Sequence, residues 1–179
     1  MYGIINQAIK DLVIKQTNED VWIKICEEVH SPVDFISMEY YQDKLTYDLV
    51  GAVSRATGLD PHAILQSFGK HWTLYTAKVG YESIMDLFGS DFLSCLKNLN
   101  NLHERMGLSM PDLKPPHFSY EDITEKSIYL NYKSTRKGLV PMVKGLIEGL
   151  AEKYHTKVEI NICSAADDEI ARFKITVLE

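Results

Sequence analysis

A chain of 179 residues is long enough for one domain with a substantial buried core, or for two closely joined lobes. At 45% hydrophobic and 25% charged it reads as globular, and its net charge of −6 argues against a nucleic-acid binder, which needs clustered Lys and Arg to neutralise phosphates. The three cysteines, Cys26, Cys95 and Cys163, are odd in number, widely separated and without a CxxC pair, so neither a disulfide framework nor a zinc knuckle is indicated.

The opening stretch MYGIINQAIKDLVIK carries Lys10 and Asp11 inside its apolar pattern, which a signal peptide would not. No apolar run approaches membrane-spanning length, and the expected location is the cytoplasm, with no membrane partner. Ile5, Ile9, Leu12 and Val13 recur at helical spacing, as do Val21, Ile25 and Val29. Leu45 to Thr57 follows the same rule and stops at Gly58. Asp60-Pro61 then opens a helix with an acidic N-cap and a proline at the first helical position, and that helix carries Ile64, Leu65, Phe68 and Trp72. Ser90 is the expected cap of a long helix reaching to about Met106 and ended by Gly107.

Leu113-Lys114-Pro115-Pro116 breaks the helical pattern, since two prolines cannot continue it. Beyond it the period changes. Ser127 to Thr135 alternates, with Ile128, Leu130, Tyr132 and Ser134 on one face. Leu139, Met142, Val143, Leu146 and Leu150 define another amphipathic helix, which tolerates Pro141 because it falls in the first turn. Val158 to Cys163 and Phe173 to Leu178 read as strands joined across the polar turn Ala165 to Glu169. The expected fold is α+β, with a helical lobe over about 1–65 and a lobe over about 66–179 that holds a small antiparallel sheet and one long helix.

Two groups of residues carry chemistry. Phe92, Leu96, Leu99, His103 and Met106 are spaced 4, 3, 4 and 3 apart, which puts an imidazole on a buried apolar stripe. Burying that ring costs free energy unless its nitrogens find partners. A core histidine bonded to a backbone carbonyl satisfies this, and so does a proximal haem ligand with one nitrogen on iron and the other on a nearby acceptor. The second group is Tyr132-Lys133-Ser134-Thr135-Arg136. If the strand persists through Arg136, a phenol, a hydroxyl and a guanidinium aim at one place, a donor set suited to paired carboxylates. A half-exposed strand end with a surface Arg is the plainer reading. Chance supplies roughly 0.015 Tyr-x-Ser-x-Arg patterns in a chain of this composition, so the motif counts as a signal.

With these residues in place, the whole chain resembles the haem nitric oxide/oxygen binding (H-NOX) family, which includes the sensor domain of soluble guanylate cyclase. The resemblance runs through Met1-Tyr2-Gly3, Phe68-Gly69, Asn101-Leu102-His103, Pro115-Pro116, Tyr132-x-Ser-x-Arg136 and Gly138-Leu139-Val140-Pro141-Met142. Pro116 lies 13 residues after His103, and Tyr132 a further 16 on, a specific combination. The resemblance implies a haem b (ferrous protoporphyrin IX) held between the two lobes. His103 would be its axial iron ligand, and Tyr132, Ser134 and Arg136 would hold the propionates. Pro116, which in the family contacts a distorted porphyrin, would touch the haem, as would Ile5, Ile9, Trp72, Met142 and Leu146. It further implies nitric oxide binding opposite His103, loss of the iron–histidine bond, and rotation of one lobe on the other.

Gly69 and Gly145 are candidate hinge points for that rotation, although a glycine inside a helix equally serves close packing. Family members that hold oxygen place a tyrosine after the propionate motif, and Leu139 to Val143 contains none. Nitric oxide is therefore the expected ligand and carbon monoxide a weaker one. Trp72 is the one residue of that pocket whose N–H is a candidate donor to oxygen, against its reading as a pocket-wall aromatic. The chain reads as a sensor rather than an enzyme, passing its signal to a separate histidine kinase or diguanylate cyclase. A peroxidase-like haem enzyme would need distal His and Arg, and no such pair is apparent near Ile5, Ile9 and Met142. A cofactor-free interaction module is the remaining alternative.

Overall fold

The structure is a computed structural model that describes residues 1–76, 89–124, 126–164 and 169–178. Four helices come first: α1 (Gly3–Gln16), α2 (Glu19–Glu28), α3 (Asp43–Thr57) and α4 (Pro61–Thr76). Their ends follow the local chemistry. Gly58 closes α3 at φ +71°, a left-handed conformation that costs glycine little. The Asp60 carboxylate accepts from the His62 and Ala63 N–H groups, at 2.9 and 3.1 Å, where α4 begins.

The long helix expected from Ser90 to Met106 is two helices, α5 (Phe92–Lys97) and α6 (Leu99–Gly107). Asp91 rather than Ser90 is the cap: its side chain accepts from the Ser94 N–H at 2.9 Å, and the Ser94 hydroxyl accepts from the Asp91 N–H in return. The break falls at Asn98, whose amide turns back onto the Ser94 carbonyl, the kind of local side-chain bond that competes with helix.

Four antiparallel strands follow in the order β1-β2-β4-β3: β1 (His117–Glu121), β2 (Ser127–Lys133), β3 (Val158–Ile162) and β4 (Ile170–Val177). The helix α7 (Val140–Lys153) crosses between β2 and β3 and covers one face of the sheet. β1 directly after the two prolines was not expected, because five residues carry too little alternation to announce a strand. β2 stops at Lys133, two residues short of expectation, and the turn at 165–168 lies outside the described residues.

The α+β class holds. One buried cluster joins α1 to α4 around Trp22, Leu49 and Phe68, and the other joins α5, the sheet and α7 around Leu96, Leu130 and Phe173. They meet where α4 crosses α7. A Cβ on Gly145 would fall 1.9 Å from the Gln66 carbonyl oxygen, and one on Gly69 would fall 2.1 Å from that of Met142. The glycines thus let the two backbones touch. Gln66 and Lys70 reach across to Glu148 and Glu152.

Candidate functional site

Between the two clusters lies a cavity of 230 Å³. It is walled by Ile5 of α1, Trp72 of α4, His103 of α6, Pro116, Tyr132 of β2, Ser134, Arg136, and Met142 and Leu146 of α7. Six separate stretches of sequence thus supply one hollow. A second cavity of 140 Å³ shares Trp72, Leu102, His103, Phe118 and Leu146 with it and continues between α5, the sheet and the far end of α7. Every residue expected around the ligand lines the larger cavity except Ile9. One turn further along α1, Ile9 is buried in the helical core beside Leu12, Val13 and Phe68 and does not line that cavity.

His103 stands as the imidazole wall of both cavities. Its ring stacks on Phe118, with centroids 5.9 Å apart and planes 17° from parallel. Nδ1 is buried and makes no hydrogen bond. Burial pushes the ring's pKa below its ordinary value, with the Leu99 carbonyl one turn back acting weakly the other way. The ring as a whole is half-buried, and a neutral imidazole is the form that donates a lone pair to a metal without first losing a proton. His71 does not line the cavity, and His117 points away on an exposed position of β1.

The rim is polar. Because β2 ends at Lys133, Ser134 and Arg136 lie on a turn, where the Ser134 hydroxyl accepts from the Arg136 N–H at 3.1 Å. The strand geometry expected for the motif is therefore replaced by a turn, yet Tyr132, Ser134 and Arg136 still line the same cavity. Burial raises the Tyr132 phenol, with Ser134 and Arg136 pulling partly back, so it stays a donor at neutral pH. Arg136 is largely buried and pairs with Asp43 at 2.8 Å while donating to the Lys114 carbonyl at 2.6 Å.

Asp43 is the residue that sequence reasoning missed. At the first turn of α3 it looks like an ordinary favourable helix-start acid. Burial alone would raise its pKa, but the Met1 amino group and Arg136 outweigh that and hold the carboxylate below its ordinary range. Trp72 packs tilted on Phe68, with centroids 6.2 Å apart, as a wall of the cavity.

These features define an α+β domain whose lobes close on an apolar slot with one imidazole wall and a rim of hydroxyl and guanidinium donors. The chain belongs to the Haem-NO-binding family, whose pattern matches residues 2–162. It is 28% identical over 156 residues to the soluble guanylate cyclase gcy-34 of Caenorhabditis elegans, covering 85% of this chain. It is 30% identical over 111 residues to the guanylate cyclase soluble subunit beta-2 of Rattus norvegicus, covering 62% of this chain. The chain spans 23% and 16% of those two relatives.

The fold matches an H-NOX protein from S. oneidensis in the Fe(II)NO ligation state, with a TM-score of 0.91 at 22% identity over the whole of both chains. It also matches the unliganded Fe(II) H-NOX protein from K. algicida, with a TM-score of 0.88 at 23% identity over all of this chain and 97% of that one. Among the described residues, no helix is long and apolar enough to cross a membrane.

Proposed function

We propose that the chain is a haem-based sensor of nitric oxide, with carbon monoxide as a weaker ligand, working in the cytoplasm and signalling to a separate histidine kinase or diguanylate cyclase. The observation that carries this is one cavity with the His103 imidazole in its wall and Tyr132, Ser134 and Arg136 at its rim. The residues fit a haem b: the body of the slot is apolar, its polar rim matches two propionates, and a half-buried histidine with a lowered pKa faces it. When bound, ferrous haem supplies the iron to which the gas binds and the bond to imidazole that nitric oxide weakens.

The chain's own residues do the rest. His103 would hold the iron through its imidazole lone pair, and Arg136 together with the two hydroxyls would hold the propionates and so fix the haem's orientation. Ile5, Met142 and Leu146 offer no donor to a polarised diatomic ligand, which favours nitric oxide over dioxygen. A His103 released from the iron would leave α6 free to shift, and the close α4–α7 crossing at Gly69 and Gly145 is where the lobes would turn. Among the described lining residues the only His is His103 and the only Arg is Arg136, at the rim, so no distal His–Arg pair supports a peroxidase-like enzyme.

A His103→Gly variant should lose haem, or hold it only when imidazole is supplied to fill the vacated space. A variant that keeps the wild-type ferrous spectrum without imidazole would show that another histidine is the ligand.

A further inference from the structure

α6 makes a second attachment to the sheet, three residues before His103. The Asn100 side-chain N–H donates to the Phe118 carbonyl at 2.7 Å, and its side-chain oxygen accepts from the Phe118 N–H at 3.0 Å. β1 is an edge strand, so Phe118 has β2 on one side only. Asn100 occupies both backbone groups on the open side, as a neighbouring strand would. The ring of the same Phe118 is the surface on which the His103 imidazole stacks, and it also packs on Tyr132, directly opposite in the ladder. β1 is tied down independently, because the Tyr120 hydroxyl donates to the Leu96 carbonyl of α5 at 2.6 Å.

One residue of β1 is thus gripped twice by α6: through its backbone by Asn100 and through its ring by His103. Residues i and i+3 share a helix face, so the two contacts act together. Only a carboxamide presents a donor and an acceptor at this spacing; a carboxylate keeps the acceptor alone, and an alanine keeps neither.

We propose that Asn100 is a positioning residue that braces the His103 helix against the sheet. Resting on the haem reading above, the brace makes the iron–imidazole bond yield when nitric oxide draws the iron away. Without it, α6 follows the iron and His103 stays attached. Its two hydrogen bonds fix where the imidazole stands, and the Phe118 stack fixes its tilt.

The test compares the wild-type protein with Asn100→Ala and Asn100→Asp in two measurements. The first, hydrogen exchange at the Phe118 N–H, needs no haem. It should quicken roughly tenfold in Asn100→Ala, the change that one hydrogen bond of ordinary net strength gives. It should stay close to wild type in Asn100→Asp, which keeps the acceptor. Unchanged exchange in Asn100→Ala would show that the clamp does not exist.

The second is the optical and spin-resonance spectrum of the reduced, haem-loaded protein saturated with nitric oxide. The wild type should show iron without histidine, Asn100→Ala a substantial fraction with His103 retained, and Asn100→Asp an intermediate fraction. Asn131→Ala removes a different sheet amide, bonded to Glu121 at 2.6 Å, and should match the wild type. If Asn100→Ala does not fold, Asn100→Asp carries the comparison. Wild-type nitrosyl spectra in both Asn100 variants would overturn the brace and leave the haem reading standing. A wild-type protein that takes up no haem would overturn both.

Discussion

Arg136 has neighbours on two sides of its guanidinium: Asp43 on one, the Lys114 carbonyl on the other. A charge-assisted fork of this kind is worth roughly 1.5–3 kcal/mol per hydrogen bond when its partner is a carboxylate. Arg136→Ala should therefore lower haem retention well below that of Arg55→Ala, which breaks only an exposed pair with Glu28. Equal loss in the two variants, read as haem-to-protein ratio after gel filtration, would show that Arg136 does not hold the haem.

The motif itself was legible because a phenol, a hydroxyl and one of only four arginines share a two-residue spacing. What hid was their backbone. The Ser134 side chain bonds the Arg136 N–H and turns the chain out of the sheet, a local competition that a period of two does not reveal. Asp43 hid for a different reason. It lies 93 residues from Arg136 along the chain, and only the folded contact distinguishes it from any acid in a first helical turn.

At the scale of elements, the α4–α7 crossing joins the lobes, and its contacts are backbone on backbone. Gly145→Ala places a methyl 1.9 Å from the Gln66 carbonyl, with no flexible side chain to yield. The helices must separate, and the variant should lose about 1–3 kcal/mol in urea unfolding, the usual cost of overpacking. Gly107→Ala, where a Cβ meets nothing within 4 Å, is the matched control.

His71 tests the same helix from its other neighbour, α1. Burial, reinforced by Lys15 and opposed by Asp11, holds its pKa below the ordinary value. The unfolded chain then takes up a proton that folded His71 resists, so its contribution is complete above about pH 6.5 and is lost as acid is added below that. His103 shifts in the same direction, so the difference between wild type and His71→Gln in apoprotein stability from pH 7.5 down to 5 isolates His71. The slope should flatten in the variant; identical slopes would show that His71 titrates as an exposed residue.

Helices with a strong stripe and a marked end, such as α3 closed by Gly58, were readable from spacing. The α5–α6 break was not, because the stripe Phe92, Leu96, Leu99, His103 continues through Asn98 as though the helix were unbroken. β1 was missed because an edge strand held by Asn100 needs little sequence pattern of its own.

For the molecule as a whole, the two buried clusters enclose a slot that neither lobe could form alone. Oxygen bound to ferrous iron carries partial negative charge and wants a donor; nitric oxide does not. With Ile5, Met142 and Leu146 as the apolar wall, and Trp72 packed on Phe68, the slot should discriminate against oxygen. The most direct test is the optical spectrum of the reduced, haem-loaded protein, recorded in air and then under nitric oxide. The expected result is a five-coordinate ferrous spectrum that persists in air and converts under nitric oxide to a form from which His103 has been released. A stable oxygen complex in air would contradict the apolar slot and make the Trp72 indole N–H the donor. A protein that takes up no haem would contradict the sensor altogether.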